Sequence, residues 1–480
     1  MTTHDFDVVV VGAGVAGLSA ACAAAENGAR VVVLERSTEA ETGGNTRYTE
    51  AFLRMASIDE AAEGIEDVLI GDFMGHPDPS VVNEAARPAD RRTGLYASHH
   101  IVDLDYVAAL SEHAPATLAW MQGHGMRFDF LPTPFLTTST TRMAPVGGGL
   151  AIVETMGKAA RGLGVEFRFE TTARSLVTGP TGIAGVHAHT PTGVADFMGR
   201  VVLASGGYQG NAELMARYHG PQAMTTRPVA RGGNYNKGEG IEMALALGAA
   251  TAGNFSLFHA EPIDPRSGEP EAAIFCFPYG ILVNREGRRF VDEARGPIDA
   301  WYERTTRTIG AQTEGIAWVV MDQQSMAVPN VRSGIRTDQP SIKADTLAGL
   351  ATAIDVPVDV LEATVASYNA ACPDGPFDHL TPDGLATTGL VPAKSNWARP
   401  IAAGPYEAYP IMAANVFTFG GLKTTPRAEV VDKDGRTLPG LYAAGEMTGL
   451  YHSNYTGSTS VLRGATFGKI AGTAAAGAIT

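Results

Sequence analysis

One short segment near the start of the chain constrains the fold more than any other. Residues 7–11 are mostly valine and lead directly into Gly12-Ala13-Gly14-Val15-Ala16-Gly17, which is followed by an alanine-rich stretch, residues 18–27. A valine run of this kind is typical of a strand buried on both faces of a parallel sheet. The alanine-rich stretch predicts a helix that ends before Gly28. The sequence therefore predicts a strand, a glycine turn and a helix in direct succession.

Each glycine of the turn has a physical role. Gly12 permits the tight turn out of the strand, Gly14 lets a pyrophosphate approach the backbone, and Gly17 lets the helix pack closely on the sheet. The helix N-terminus offers N–H groups and a partial positive charge to the phosphates. The next predicted strand, residues 30–34, ends at Glu35, whose carboxylate can accept hydrogen bonds from adenosine ribose hydroxyls. A purely structural glycine turn is the alternative, and the complete strand–turn–helix–acid context argues against it.

Two further glycine-rich segments favour a flavin over a nicotinamide cofactor. Gly43-Gly44-Asn45 follows the acidic residue closely, where a nicotinamide domain would usually proceed to its next βα unit. Near the C-terminus, residues 438–446 predict a turn, a short strand and a glycine, and the hydroxyl-rich loop 455–460 precedes a small-residue helix, 464–477. The start of that helix could face the pyrimidine end of a flavin, which gains negative charge on reduction. A tail that packs on the first domain would explain the helix but not its polar loop.

Composition excludes several other classes of protein. The formal net charge of −15 disfavours binding to nucleic acid or to an anionic membrane. No apolar run is long enough to span a bilayer, and the N-terminus lacks the basic start of a signal peptide. Cys22, Cys276 and Cys372 are scattered, so we interpret them as buried packing residues of a protein in a reducing, cytoplasmic compartment.

The motifs together resemble those of a known family. They are the glycine turn, Glu35, Gly43-Gly44-Asn45, Ala204-Ser205-Gly206-Gly207 and residues 440–446. This set resembles the flavoprotein family of fumarate reductase, succinate dehydrogenase and 3-ketosteroid dehydrogenase. A narrower likeness, to the tricarballylate dehydrogenases of that family, rests on residues 147–151, 284–293, 417–421 and 452–455. The resemblance covers nearly the whole chain and is more specific for fold and cofactor than for substrate.

The resemblance implies an α/β fold with a Rossmann-like FAD-binding domain of the glutathione-reductase type and an inserted α+β cap domain. We expect the FAD-binding domain at residues 1–252 and 401–480 and the cap at 253–400, with a turn-rich connector at 372–396. FAD is expected to be bound non-covalently, since no histidine or cysteine lies in an obvious tethering motif. The expected cofactor-binding residues are Gly12, Gly14, Ala16, Gly17, Glu35, Arg36, Gly43, Gly44, Asn45, Ala173, Gly207, Gly445, Glu446, Ser460, Val461 and Leu462.

The resemblance also implies the type of reaction. Members of the family move a hydride between a substrate carbon and the flavin, while the neighbouring carbon loses or gains a proton. Fumarate reductases use one histidine and two arginines at positions that Phe417, Met326 and Tyr455 occupy here. We therefore predict a dehydrogenase that desaturates a Cα–Cβ bond next to a carboxylate or ketone, passes electrons to an unidentified acceptor, and has negligible fumarate reductase activity.

Four residues are candidates for the chemistry, and each has a structural alternative. Tyr455 resembles a tyrosine that hydrogen-bonds the ketone in ketosteroid enzymes, and it could instead be a structural phenol. His259 lies where the family often has a cap histidine near the substrate carboxylate. Arg295 could bind a carboxylate or relay a proton, or it could form a surface salt bridge. Tyr302 is the phenol nearest to the family's tyrosine base, which has no direct match, so the base stays unassigned.

Other kinds of site and function were weighed against this prediction. His99, His100 and His113 lack metal-ligand spacing with any acid or cysteine cluster, so we expect them to be surface residues and predict no metal site. Ser205, Ser458 and Ser460 lack a His–Asp partner pattern, so they do not predict hydrolase chemistry. The remaining alternatives are a cyclic-ketone or 3-ketosteroid dehydrogenase, an enoate reductase that runs in the reverse direction, and a flavin electron carrier without turnover. A nicotinamide-linked enzyme would need a second dinucleotide fingerprint, which the sequence does not contain.

Overall fold

The fold is known from a computed structural model that describes residues 2–62, 64–65, 103–131 and 142–477. Its strands, in chain order, are β1 (Thr2–Val11), β2 (Val31–Leu34), β3 (Met55–Ser57), β4 (Glu60–Ala61), β5 (Phe128–Leu131), β6 (Arg142–Pro145), β7 (Glu166–Arg168), β8 (Thr172–Gly179), β9 (Gly182–Thr190), β10 (Gly193–Leu203), β11 (Arg227–Pro228), β12 (Thr251–Ala252), β13 (Phe258–Ile263), β14 (Ile281–Asn284), β15 (Ile316–Met321), β16 (Ile342–Ala344), β17 (Tyr406–Thr418), β18 (Gly421–Leu422), β19 (Glu429–Val431) and β20 (Thr437–Ala443).

The α-helices of the same residues are α1 (Val15–Glu26), α2 (Leu104–Gly123), α3 (Gly148–Gly162), α4 (Ala212–His219), α5 (Glu239–Leu245), α6 (Ile298–Gly310), α7 (Gln323–Met326), α8 (Leu347–Ala353), α9 (Val358–Ala371) and α10 (Ser460–Gly477). The predicted strand–turn–helix at the N-terminus is β1, the glycine turn and α1.

The first sheet has the order β19-β20-β10-β1-β2-β7, and its neighbours from β20 to β7 are parallel. The β8–β9 hairpin adds to it through antiparallel pairing of β9 with the first half of β10. Residues 8–11 of β1 and the whole of β2 are buried, as the valine runs predict for strands covered on both faces. The predicted Rossmann-like α/β arrangement is confirmed.

Helices α1 and α10 pack against each other through small residues on the face of this sheet. A Cβ atom on Gly468 would lie 2.3 Å from the carbonyl oxygen of Ala16, and one on Gly472 would lie 2.1 Å from that of Ala20. The C-terminal helix therefore touches the backbone of the first helix. This contact brings the start of α10 beside the glycine turn.

The second sheet is built around the long strand β17. It has the order β11-β17-β15-β14, and β13 and β16 also pair with β17. Because β11 precedes residue 253 and β17 follows residue 400, this sheet uses chain on both sides of the predicted cap. The sheet extends beyond residues 253–400 for a physical reason. Strand β17 pairs with the cap strands along most of its length and ends inside the FAD-binding half, so no loop separates the two parts of the chain there. Helices α8 and α9 precede the 372–396 connector, which contains neither helix nor strand, as its turn-rich sequence predicts.

Several predictions about single residues can be compared with this fold. Cys22 and Cys276 are buried, whereas Cys372 is only partly buried at the end of α9, which corrects its prediction as a core residue. His113 is exposed on α2, as expected, while His99 and His100 lie outside the described residues. No helix in the described ranges has the length and apolar character needed to cross a membrane.

Candidate active site

The glycine turn after β1 forms one wall of a deep cleft. Gly12 has φ +103°, and a Cβ there would lie 2.5 Å from the carbonyl oxygen of Ala204, so a side chain is excluded. Gly17 does not line the cleft. A Cβ on it would lie 1.9 Å from the carbonyl oxygen of Gly12, so this glycine allows the close packing of helix on strand that was expected.

Glu35 lies at the end of β2 with its carboxylate fixed by backbone donors. The N–H groups of Ala13 and Ser37 donate to its two oxygens at 2.9 Å and 2.8 Å. The residue is buried and lines the cleft. Each carboxylate oxygen can accept more than one hydrogen bond, so the group can hold the glycine turn in place and still accept from a ligand hydroxyl.

Most of the expected cofactor-binding residues line the same cleft. Those that do are Gly12, Gly14, Ala16, Glu35, Arg36, Gly43, Gly44, Asn45, Ala173, Gly445, Glu446, Ser460 and Val461. Leu462 is fully buried behind the first turn of α10. Gly207 also lies behind the wall, where a Cβ would lie 2.2 Å from a carboxylate oxygen of Glu446. Gly17, Gly207 and Leu462 therefore shape the cleft without lining it.

Glu446 joins three segments of the cleft wall. One carboxylate oxygen accepts from the backbone N–H of Thr418 at 2.9 Å, and the other accepts from the side-chain amides of Asn236 and Gln209. Burial raises the pKa of this carboxyl above its ordinary value, while these donors lower it. Its contacts tie the end of β17 to the FAD-binding half of the chain.

The cleft has the features that a bound dinucleotide requires. It combines glycines that no larger residue can replace, a helix N-terminus and a fixed acid, and buried polar atoms face it. Asn45 Oδ1 is buried and has no hydrogen-bond partner among the described residues. Thr46 Oγ1, which the sequence analysis missed, accepts from the backbone N–H of Val15 in the first turn of α1 at 3.0 Å. The residues present therefore fit FAD.

A second cavity adjoins this cleft between the two sheets. The two share a boundary formed by Thr49, Glu271, Val416, Phe417, Ser460 and Val461. The second cavity is further lined by Arg142, His259, Glu261, Asp299, Tyr302, Arg336 and Tyr455. Three of the four predicted catalytic candidates are thus brought together, beside Phe417.

His259 is buried at the centre of a hydrogen-bonded group. Its Nδ1 lies 2.9 Å from Oε2 of Glu303, and its Nε2 lies 3.1 Å from the hydroxyl of Tyr302. Its ring lies 4.4 Å from that of Tyr455, centroid to centroid. His259 therefore contacts both candidate tyrosines and a buried carboxylate, which the sequence analysis did not identify.

Tyr455 lies at the start of α10. Its hydroxyl accepts from the backbone N–H groups of Thr459 and Ser460, at 3.2 Å and 3.3 Å, and lies 3.0 Å from the Ser460 hydroxyl. These contacts place the phenol oxygen in the positive end of the helix macrodipole, which favours negative charge on that oxygen. Tyr455 thus has a structural role in capping α10 and also lines the cavity.

The arginine of this cavity is not the one that the sequence analysis selected. Arg295 is exposed, with its guanidinium 4.8 Å from the centre of the Trp301 ring, and it does not line the cavity. Arg142 does line it: this side chain is 6% exposed, one of its terminal nitrogens lies 3.1 Å from Asp299, and its Nε has no partner among the described residues. Arg142 precedes the 147–151 motif, and that proximity is the signal in the sequence that could have identified it.

Acidic side chains line the opposite part of the cavity. Burial raises the pKa of Glu261, and the neighbouring His259 and Arg336 oppose that effect. Burial also raises the pKa of Glu271 well above its ordinary value, and the nearby Glu261 carboxyl raises it further. The pair therefore retains protons to a higher pH than exposed carboxyls do.

Comparison with protein families agrees with the geometry of the cleft. The family model described as the FAD binding domain matches residues 7–462. The chain belongs to this family.

Relatives within the family act in both redox directions. Vinyl phenol reductase of Lactiplantibacillus plantarum is 27% identical over an alignment that covers 95% of this chain and 92% of that protein. A probable fumarate reductase of Shewanella frigidimarina is 27% identical, with 98% of this chain and 74% of that protein covered. For 3-oxosteroid 1-dehydrogenase of Mycobacterium tuberculosis the identity is 25%, with coverages of 93% and 94%. The predicted class, an FAD-dependent oxidoreductase acting on CH–CH groups, is confirmed by the family and these relatives.

Solved structures share the whole fold. The open conformation of a flavocytochrome c3 fumarate reductase superposes with a TM-score of 0.74 at 24% identity, covering 99% of this chain and 78% of that one. A 3-ketosteroid-Δ4-(5α)-dehydrogenase from Rhodococcus jostii, in complex with 4-androstene-3,17-dione, gives a TM-score of 0.70 at 25% identity, with coverages of 98% and 97%. The two-sheet architecture therefore follows that of known flavoproteins.

Proposed function

We propose that the protein interconverts a saturated and an α,β-unsaturated carboxylate or ketone, with desaturation as the forward direction and non-covalently bound FAD as the redox cofactor. The observation that carries the proposal is the cavity between the sheets, which shares a wall with the FAD cleft and presents Tyr455, Tyr302 and Arg142 to its contents. When bound, FAD supplies a group that accepts or donates a hydride at a substrate carbon.

Tyr455 is proposed to polarise the carbonyl or carboxylate oxygen, together with Ser460. The phenol oxygen already accepts two backbone N–H groups, so its own proton is directed either to Ser460 or to a ligand in the cavity. A phenol held at a helix N-terminus is a stronger donor because its developing negative charge is stabilised there. Such a donor acts when the oxygen gains charge as the adjacent C–H bond breaks.

Arg142 is proposed to bind an anionic group of the substrate in the role first assigned to Arg295 or His259. Its guanidinium is nearly buried and lines the cavity, and its Nε is buried without a hydrogen-bond partner within the described part of the chain. A buried guanidinium with one carboxylate partner can still form a bidentate contact with a second carboxylate. His259 instead has both ring nitrogens within hydrogen-bonding distance of protein groups.

The proposed function can be tested in both directions with compounds of the kinds named for the relatives. In the oxidative direction, enzyme and a dye acceptor are mixed with tricarballylate, which tests the narrower likeness, or with 4-androstene-3,17-dione. In the reductive direction, dithionite-reduced enzyme is mixed with fumarate, acrylate, urocanate or 4-vinylphenol. Turnover of any carboxylate or ketone in this set supports the proposal, whereas turnover of 4-vinylphenol alone would show a different substrate class. If neither direction shows turnover, and flavin absorbance stays unchanged with all six compounds, the proposed substrate class is wrong.

A reductase that works in the reverse direction is the second candidate, and the relatives' names favour it. Three of the four relatives that supply the reductive compounds are named as reductases. Fumarate itself is expected to react slowly, because Phe417 and Tyr455 line the cavity in place of a histidine and an arginine. Faster turnover in the reductive than in the oxidative assay would select this candidate.

A further inference from the structure

A buried carboxylate on α6 connects the two candidate tyrosines, although the function proposed above assigns it no role. Glu303 is 3% exposed and does not line the cavity. Its Oε2 accepts from the backbone N–H of Tyr455 at 3.1 Å and lies 2.9 Å from Nδ1 of His259. Its other oxygen is paired with Arg307, one turn later on the same helix. All of these contacts require the carboxylate to accept hydrogen bonds.

The contacts of Glu303 fix the direction of the hydrogen bonds around His259. Because an ionised carboxylate can only accept, Nδ1 of His259 carries a proton and donates to it. In the neutral imidazole, Nε2 then has a lone pair, and the hydroxyl of Tyr302 donates to it across 3.1 Å. The proton of Tyr302 is therefore held by His259, and the lone pairs of the phenol oxygen stay free to accept a proton in the cavity that both residues line.

We propose that Tyr302 is the residue that exchanges the substrate proton, and that His259 and Glu303 form the relay behind it; this inference rests on the proposed function. In desaturation, the Tyr302 oxygen takes the proton from the substrate carbon while its own proton moves to Nε2 of His259. The electron pair of the broken C–H bond forms the new C=C bond, and the neighbouring carbon loses a hydride, which FAD would accept when bound. The imidazolium passes its proton to water after the product leaves, and saturation follows the same steps in reverse.

A relay avoids a charged intermediate that the cavity disfavours. Burial raises the pKa of Tyr302 well above its ordinary value, and the carboxylates of Glu261 and Glu303 raise it further. A free phenolate would therefore be costly at this position. If the tyrosine proton moves to His259 at the same time, the positive charge forms beside Glu303, where a buried carboxylate stabilises it.

The charged and aromatic groups around the relay come from four different segments. Glu261 on β13 lies 3.8 Å from Nε2 of His259, Arg142 on β6 lowers the pKa of Tyr302, and the Tyr455 ring lies 4.4 Å from the imidazole at an interplanar angle of 48°. Arg307 forms an ion pair with Oε1 of Glu303 and so balances the charge of the carboxylate. The same guanidinium also donates to the carbonyl oxygen of Ser453 at 2.8 Å. Glu303 is thus a positioning residue for both His259 and the Tyr455 loop.

The protonation of His259 tests the relay without any substrate. In FAD-loaded protein labelled with 15N only in its 12 histidines, the His259 signals are assigned by their loss in His259→Asn. We expect the single tautomer with the proton on Nδ1 in the wild type. In Glu303→Gln, whose neutral amide is a weaker acceptor, we expect part of the His259 population to shift to the tautomer with the proton on Nε2.

Glu293→Gln is the matched control. Glu293 is also buried, is also paired with an arginine four residues away, Arg289, and also accepts a backbone N–H, that of Leu282, but it lies outside the relay. Its loss should leave the His259 tautomer unchanged. A wild-type proton on Nε2, or the same tautomer populations in Glu303→Gln as in the wild type, overturns the relay. The wild-type spectrum gives this answer even if the variant does not fold.

A second experiment measures the reaction rate, with whichever of the six compounds named above is turned over fastest. Tyr302→Phe should lower the single-turnover rate by about 10²–10⁴, the usual contribution of general acid–base catalysis, with little change in the binding of that compound. A wild-type rate in Tyr302→Phe overturns the relay while the proposed function stands. If none of the six compounds reacts, the proposed function fails, and the 15N spectra still decide whether the relay exists.

Discussion

At the scale of single residues, the structure gives several predicted ligands a second role that the sequence pattern does not reveal. Glu35 was selected because an acid at the end of the second strand contacts ribose in dinucleotide sites. In the fold its carboxylate also holds the backbone of Ala13, inside the glycine turn, and of Ser37. A substitution there therefore changes the shape of the phosphate site as well as a ligand contact.

Glu35→Gln is expected to raise the FAD dissociation constant by about 10–100-fold, because the neutral amide cannot accept both backbone N–H groups, and each bond to a charged group contributes about 1.5–3 kcal/mol. Fluorescence of released FAD measures the constant directly. Glu39→Gln, an exposed position on the following turn, is the control and should bind FAD like the wild type. Equal dissociation constants for both variants would show that the Glu35 carboxylate does not contribute to FAD binding.

Tyr455 is a second residue whose contacts change the expected result. Tyr455→Phe should lower the single-turnover rate by about 10²–10³, the usual effect of losing one transition-state donor. It should also lower the unfolding free energy by about 1–3 kcal/mol, because the N–H groups of Thr459 and Ser460 lose their acceptor. The sequence suggested little effect on packing, since the ring is kept.

Ser460→Ala is the comparison for this prediction. It removes the hydroxyl partner but keeps the phenol and its two backbone donors, so the rate should fall less than in Tyr455→Phe. Stopped-flow bleaching of the flavin and chemical denaturation report the two effects separately. If Tyr455→Phe loses stability but keeps the wild-type rate, the tyrosine is only a helix cap.

At the scale of secondary-structure elements, the first domain could be predicted and the second sheet could not. Strands β1 and β2 and helix α1 match residues 7–34 because valine runs, glycines and alanines each have strong local preferences. The membership of β17 in the cap sheet depends on pairing with β13 and β15, more than 80 residues away in the chain. Such long-range pairing leaves no local signal in the sequence, so the place of β17 in the second sheet could not be predicted.

Arg142 and Glu303 were missed for the same reason. Each approaches the site from an element whose position is set by tertiary packing, β6 for the arginine and α6 for the glutamate. Nothing in the immediate sequence of Glu303 distinguishes it from a surface charge, and the only sequence signal for Arg142 is the nearby 147–151 motif. Arg295, by contrast, was selected for its proximity in sequence to a motif, and the fold turns it toward Trp301 and solvent.

The contact between α1 and α10 gives a prediction at this scale. Gly472→Ala should lower the unfolding free energy by about 1–3 kcal/mol, the usual cost of overpacking, because its Cβ would lie 2.1 Å from a backbone oxygen of α1. Gly162→Ala in α3 has no atom within 4 Å of the added Cβ and should be neutral or stabilising. Urea denaturation of both variants measures the difference. Equal stabilities would mean that α10 does not rest on α1 as described.

At the scale of the whole molecule, the FAD-binding half and the cap are joined by more than their connecting loops. Strand β17 pairs with β15 and β16 near its start, and its last residue, Thr418, donates its backbone N–H to Glu446 beside the cofactor cleft. Helix α6 of the cap contacts the Tyr455 loop through Glu303 and Arg307. The substrate cavity lies between these two connections, so its shape depends on both halves being folded.

This arrangement predicts that the two halves unfold together. The chain has four tryptophans, and all but Trp120 lie in the cap, so Trp120→Phe leaves only cap tryptophans as fluorescent reporters. Thr418, the last residue of β17, is hydrogen-bonded to Glu446 beside the cofactor cleft, so unfolding of the cap sheet should also disturb the cleft. The fluorescence transition of the cap tryptophans and the release of FAD should therefore share one midpoint in a thermal scan. Trp120 is half-buried on α2, and its indole N–H donates to Glu26, so phenylalanine, which keeps an aromatic ring there, should cost less than a smaller residue would. A cap transition that clearly precedes FAD release would show that the cap is an independent domain, as the boundaries at 253 and 400 suggested. In that case β17 and α6 would have to detach from the FAD-binding half without disturbing its cofactor, and the relay through Glu303 would be the first part of the site to be lost.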